Sequence, residues 1–351
     1  MSAATTTAAE APTPPAPAAA HPAAPARPTR SLVRAMFRLH QSALWFWGLL
    51  VVLTAGALLW AAGPGVDAAW AEYLKSDCAS ADYCETGPAH DRYDWAVTLG
   101  TFALNIAPLL VGAWAGGALI GRELESGTAR LAWTQSVRPA HWLAAKLAVP
   151  AALLISGTVL LTLLNRLLWS SDADIRQALG TRDWFNSSTF TAHGTLAAAY
   201  ALLGLAVGTV AGLLIRRSLP ALAVGVLATG TVMSTLESYR SALWPVETLV
   251  SKSGYPNWTG ELVDRGLLTT SGDRLSDTGC TGTACGRTDV VGFYADFHPS
   301  SHFWPLQLVE TGIALTITAA LVYAAFRLLR RQTGDTARPT GHTPRRKGGT
   351  S

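Results

Sequence analysis

The chain has 351 residues, 49% of them hydrophobic and only 14% charged, with a formal net charge of +4. A soluble globular protein carries about 25% charged residues, so the composition excludes an ordinary water-soluble domain and points to lipid. An α-helix rises about 1.5 Å per residue, and about 20 apolar residues therefore cross the hydrocarbon core.

Residues 1 to 29 are mostly Ala, Pro and Thr, with no basic start and no apolar run. They fit neither a leader nor a core, and a disordered cytoplasmic tail is expected. The ordered part opens on RSLVRAMFRLHQSALWFW, with Arg30, Arg34 and Arg38 on one helical face and Val33, Met36, Phe37 and Leu44 on others. This reads as an amphipathic helix in the inner interface, or as a snorkelling extension of the first span.

Six apolar runs follow, at about 43–63, 96–120, 142–165, 194–215, 219–239 and 303–326. Each must be helical, because a lone span satisfies its own backbone hydrogen bonds inside lipid. With the N-terminus inside, the cytoplasmic segments hold 17 of the 27 basic residues and 4 of the 23 acids. Lys and Arg are retained in short cytoplasmic loops, so both termini are placed in the cytoplasm. The expected fold is an all-α polytopic membrane protein with six transmembrane helices, N-in and C-in. An N-terminal interfacial helix precedes the spans, and a large outer loop of about 240–302 joins spans five and six. Residues 30–332 form the membrane domain, and 333–351 form a basic, disordered cytoplasmic tail near lipid headgroups.

Within the spans, Gly112, Gly116, Gly204, Gly208 and Gly212 recur every four residues, a spacing that lets helices pack closely. Glu310 lies inside the last span and Glu237 near the outer end of the fifth, with Arg240 three residues on. A charge at mid-membrane costs about 2.5–3.5 kcal/mol on insertion scales. Glu310 is thus either the lining of a polar path or an acid satisfied by neighbouring backbone or by Arg240.

The outer loops carry Cys78 with Cys84 and Cys280 with Cys285. Two local disulfides suit an oxidising compartment, and four free thiols are the alternative. The run Cys280-x4-Cys285-x12-His298-x3-His302 has zinc-finger spacing. Its outer placement, Asp289 where an aromatic is expected and Pro299 within the would-be recognition helix argue against a nucleic-acid finger. No metal site and no nucleic-acid partner are expected. There is no P-loop, no H-E-x-x-H and no G-x-S-x-G, so no catalytic residues are expected and the chain binds no ATP by a P-loop of its own.

The polar stretch GRELESGTARLAWTQSVRPAHW, residues 121–142, interrupts the greasiest region. A helix at 122–126 is expected to project Glu123 and Glu125 into the cytoplasm. Gly127 then permits a sharp turn, and Thr128 caps a second short helix at about 129–136 that presents Leu131 and Trp133. Opposing charges and exposed apolar residues on a rigid helix make a docking surface; an ordinary polar loop would not require a Trp.

The run from Glu123 to Lys146 resembles the segment between the second and third spans of type-2 ABC exporter permeases, and the pieces RRSLPALAVGVLATGTV and FHPSSHFWPLQLVETGIALTITAALVYAAFRLLRR look like those of a high-GC actinobacterial branch of them. There a pattern close to E-x-E-x-G-T, an apolar stretch, T/S-P-L/V-S-R and a lysine forms the coupling helix against the ATP-binding subunit. The matching positions are Glu123, Glu125, Gly127, Thr128, Leu131, Thr134, Val137 and Lys146, and Trp133 joins them on the exposed face. Ser136 replaces the usual proline and Pro139 stands near the usual arginine.

The resemblance implies a plasma-membrane permease subunit of an exporter, paired as a homodimer or heterodimer in the bilayer. Separate ATP-binding-cassette subunits would supply the ATP site, and the permease would need no cofactor. The mostly apolar pore suits a hydrophobic or amphipathic substrate. Two alternatives stay open: an ion-coupled secondary transporter using Glu310, for which Pro108 and Pro150 would break helices, and a membrane sensor with ligand-binding outer loops.

Overall fold

The computed structural model describes residues 41–76, 86–134, 138–180, 182–276 and 289–334. The expected N-terminal tail and interfacial helix, the C-terminal tail beyond 334, Val137 and all four cysteines lie outside the described residues.

Six helices among the described residues are long and apolar enough to cross a membrane: Gln41–Lys75, Pro88–Glu125, Pro139–Ser171, Leu196–Ile215, Ser218–Ala242 and Ser300–Thr333. Four of them extend well beyond the apolar runs that predict them, because apolar length marks lipid depth whereas a helix stops only at a breaking residue. Pro88 and Pro139 occupy first-turn positions, where their missing N–H costs nothing. Arg216 and Gly334 terminate helices in the left-handed conformation, at φ 55° and 67°. Pro108 and Pro150 lie inside continuous helices. Among the described residues, a span is broken at Ala61–Gly65, where Gly63 is non-helical (φ −121°, ψ −105°) just before Pro64. The proline ring and its missing N–H account for it.

The fourth span is the centre of the bundle. Its most apolar stretch is 72% buried, against 11% for the first span and 17% for the fifth and sixth. Small residues explain how it is surrounded. A Cβ on Gly204 would overlap the Pro108 carbonyl, and one on Gly208 would overlap the Gly112 carbonyl. Gly112 and Gly116 in turn admit the fifth span, whose Gly225 and Ala221 carbonyls stand where their side chains would be. The glycine spacing thus builds a three-helix seam of spans two, four and five, in which backbones meet without intervening side chains.

The expectation of an all-α chain is corrected between spans five and six. There the chain forms a four-stranded antiparallel sheet of β1 (Glu247–Ser251), β2 (Glu261–Thr269), β3 (Arg274–Ser276) and β4 (Val290–His298), in the order β1-β4-β2-β3. The physical reason was present locally in the central strand: VVGFYADFH is rich in β-branched and aromatic residues. Leu267 pairs with Phe293, Gly266 with Tyr294 and Leu262 with Phe297. Central β4 is buried on both sides from Tyr294 to His298. On one side Asp296 joins the strands, accepting hydrogen bonds from Thr248 at 2.5 Å and Arg274 at 2.5 Å.

The glycine seam makes a direct prediction. Gly208→Val is expected to cost about 1–3 kcal/mol or more, as overpacking does. It should lower the thermal midpoint of the purified protein in detergent, whereas Gly56→Val, at a site where an added Cβ meets nothing within 4 Å, should leave the midpoint unchanged.

Candidate docking site

The second span ends in a π-helical turn, Ala115–Gly121, followed by the short helices Arg122–Glu125 and Thr128–Thr134. Gly127 between them has φ 75°, a left-handed conformation that glycine adopts without the Cβ clash of other residues. The turn therefore forms where the sequence places it, but two details differ.

First, Thr128 does not cap the second helix. Its hydroxyl donates to the Glu123 carbonyl at 3.3 Å and meets the Ser126 hydroxyl at 3.1 Å, closing the end of the preceding helix. The Gly127 carbonyl instead accepts from the amides of Arg130 and Leu131. Second, the two acids are engaged rather than free, and only Glu125 is exposed to solvent as expected. Glu123 pairs with Lys146 at 2.5 Å, and the Lys146 ammonium also donates to the Leu119 carbonyl at 3.2 Å. Lys146 is only 2% exposed; a buried ammonium requires such partners. Glu125 accepts from the backbone amide of Ser218 at 2.9 Å. That amide opens the fifth span, where the helix dipole favours a carboxylate. Residues two apart on a helix face nearly opposite ways, so one acid braces the turn to span three and the other to span five.

Trp133 is likewise inward. Its ring meets Trp142 edge-on, centroids 5.6 Å apart, and Lys146 lies 5.3 Å from the Trp142 centroid. The buried Trp133 Nε1 has no hydrogen-bond partner among the described residues. The exposed face is left to Leu131, 63% exposed, with Arg122, Arg130 and Thr134. Sequence reasoning missed Ser218 and Trp142. Neither carries a motif, and each matters only because the fold brings a distant helix end to the turn.

Beside this turn lies a cavity of about 950 Å³ between spans one, two and three, closed by Leu222 of span five. Its walls are apolar, including Phe46, Trp47, Leu110 and Leu154, and Arg122, Glu123, Ser126 and Thr128 also border it.

At the opposite end, Glu310 is fully buried and pairs with Arg240 at 2.8 and 3.2 Å. Tyr200 donates to the same carboxylate, and the Arg240 guanidinium lies 4.2 Å from the Phe190 centroid. The acid is therefore satisfied by a partner on the neighbouring span. A second cluster there joins Asp172 to Tyr93, Arg176 and Arg182 at 2.7, 3.2 and 2.9 Å. Of the zinc-finger spacing, only His298 and His302 lie among the described residues. No group of three or more metal-ligating side chains occurs among the described residues.

Breaking the Arg240–Glu310 pair has a defined cost. Arg240→Ala is expected to destabilise by about 3–5 kcal/mol, because it leaves a buried carboxylate unpaired. The double replacement Arg240→Met with Glu310→Met should recover most of that loss in a thermal melt.

A protein-family model described as ABC-2 membrane transporter related matches residues 48–240, from the first span through the docking turn to Arg240. No curated protein and no solved structure matches the chain.

Proposed function

The chain belongs to the ABC-2 membrane transporter related family, as a multi-pass permease of the plasma membrane, and we propose that it is the membrane subunit of an exporter driven by separate ATP-binding-cassette subunits. The family as a whole pairs its permeases with ABC ATPase subunits. The observation that carries the reading is the double brace at residues 121–146. The short helix with exposed Leu131 and Arg130 follows directly on the Arg122–Glu125 helix, which is tied to span three through Glu123–Lys146 and to span five through Glu125–Ser218.

In this proposal the turn end of the bundle is cytoplasmic and the sheet end faces outward, in keeping with the Lys and Arg bias. Closure of the ATPase subunits pushes the Thr128–Thr134 helix. The Lys146 and Ser218 contacts pass that displacement to spans three and five, and the glycine seam carries it to spans two and four as a rigid body. Leu131, Arg130 and Arg122 form the contact surface, while Glu123, Glu125 and Lys146 are positioning residues behind it. The apolar cavity with a polar border suits a hydrophobic or amphipathic substrate. The weakly buried first and fifth spans leave apolar surface for a second permease copy, identical or related. The ion-coupled reading gains no support from Glu310, since its carboxylate is taken up by Arg240 and Tyr200.

Contact and transmission are separable by experiment. Leu131→Asp with Arg130→Glu should abolish copurification with a co-expressed ABC ATPase subunit without changing the thermal midpoint of the permease. Lys146→Met should keep the complex but reduce transport-linked ATP turnover about tenfold or more. Intact copurification in the first variant sinks the assignment of the docking surface, and unchanged turnover in the second sinks the transmission role of Lys146.

A further inference from the structure

We propose that the cavity beside the docking turn is a site for an acidic amphiphile taken from the bilayer, with its anionic head on Arg122 and its alkyl body between spans one, two and three. The cavity holds about 950 Å³, the upper end of the range for small-molecule sites. Its polarity runs along its length. Span two lines it from Ala107 to Arg122, a path of about 20 Å at helical rise. Every hydroxyl and every charge on its wall belongs to the turn end, on Ser42, Arg122, Glu123, Ser126 and Thr128. The far end, at Leu50, Ala107, Leu110 and Leu154, is hydrocarbon.

The two charged groups at the turn end are not equivalent. Glu123 is spent on Lys146, whose buried ammonium needs a counter-charge. The Thr128 hydroxyl donates to the Glu123 carbonyl, and the Ser126 hydroxyl has that carbonyl and the Thr128 oxygen as its acceptors. Arg122 is exposed, and its side chain forms no ion pair and no hydrogen bond among the described residues. The cavity thus joins an apolar depth to an unspent cation at its mouth. A guanidinium binds carboxylate, phosphate or sulfonate oxygens through paired N–H donors. An ammonium head would instead meet Arg122 as a like charge and find the Glu123 carboxylate occupied.

The rim suits entry from lipid rather than from water. Phe46, Leu110 and Leu222 line the cavity and are also exposed at the surface of the bundle. An amphiphile already in the bilayer enters sideways through this apolar opening, tail towards Leu154 and head at interface depth, so its charge never crosses hydrocarbon. That the bound molecule is the exported substrate rests on the exporter reading; the site and its preference for an anion do not. Because Arg122 also stands on the exposed face of the docking turn, binding is measured on the permease alone.

The test is photolabelling of the full-length protein in phosphatidylcholine nanodiscs, without ATPase or nucleotide. The probes are dodecyl phosphate and dodecyl trimethylammonium, each with a diazirine near the end of its chain. The phosphate probe should label Leu110, Val111 or Leu154 saturably. Arg122→Gln should raise its half-saturating concentration about tenfold, the size of one charge-assisted contact, and Arg122→Lys should recover part of that loss. The ammonium probe should label only lipid-facing positions such as Leu49 and Leu227. Leu110→Trp fills the cavity from an exposed position and should remove saturable labelling without changing the thermal midpoint. Inorganic phosphate has the head without the tail and should not displace the probe. The site is overturned if Arg122→Gln labels as the wild type does, if both probes saturate the cavity alike, or if inorganic phosphate displaces the label. It is equally overturned if only lipid-facing residues are labelled, which would leave the space to a second copy or to annular lipid. Copurification with an ATPase subunit is a separate measurement, so the exporter reading can fail with the site intact, and the site can fail with that reading intact.

Discussion

A charge taken out of water must bring its counter-charge with it, and in this protein that constraint falls on Lys146. Its ammonium lies at the base of span three, where it has access to almost no solvent. Glu123 and the Leu119 carbonyl come to it from the second span. Attraction at 2.5 Å in a low-dielectric setting is far stronger than at a surface, so the turn after span two is held in place by the lysine. The same rule operates at the opposite end, where Arg240 and Glu310 join spans five and six beside the sheet. Each end of the bundle is thereby locked by a pair that neither partner can leave without stranding the other.

Between these locks, the bundle is joined by backbone contact. Gly204 and Gly208 bring span four against span two, and Gly112 and Gly116 bring span two against span five. Few side chains stand between helices where glycines meet backbone directly, so the helices of the seam are closely coupled. In the proposed coupling mechanism, a push on the short helix Thr128–Thr134 would meet little compliance before it reached the middle of the membrane. The first, fifth and sixth spans, mostly unburied, have more freedom and more open surface.

Much of the docking site was legible because it depends on local chemistry. A glycine followed by threonine between two short helical runs implies a turn, and Gly127 adopts the left-handed backbone that the turn needs. The directions of the side chains were not legible. Glu123 looks like a solvated acid until Lys146, 23 residues on, arrives beside it, and Glu125 stays exposed but is held by the amide of Ser218, 93 residues on. Trp133 looks like an exposed anchor until Trp142 covers its edge. The sheet was missed because residues between two spans were read by charge and cysteines, whereas the β-branched and aromatic side chains of VVGFYADFH held the strand signal.

Composition and apolar run length determined by themselves that this is a membrane protein with six helices long and apolar enough to cross the bilayer among its described residues, where it turns at Gly127 and which glycines recur on one helical stripe. Each follows from forces within some twenty residues: hydrocarbon transfer, backbone hydrogen bonding and steric limits on φ. Only the tertiary structure decided which charges face one another, that Glu310 is closed by Arg240 and Tyr200, and that two histidines meet nitrogen to nitrogen beneath a sheet. Those depend on distances between segments far apart in the chain, and Coulomb attraction and hydrogen bonding act only once packing has brought the partners within a few ångströms.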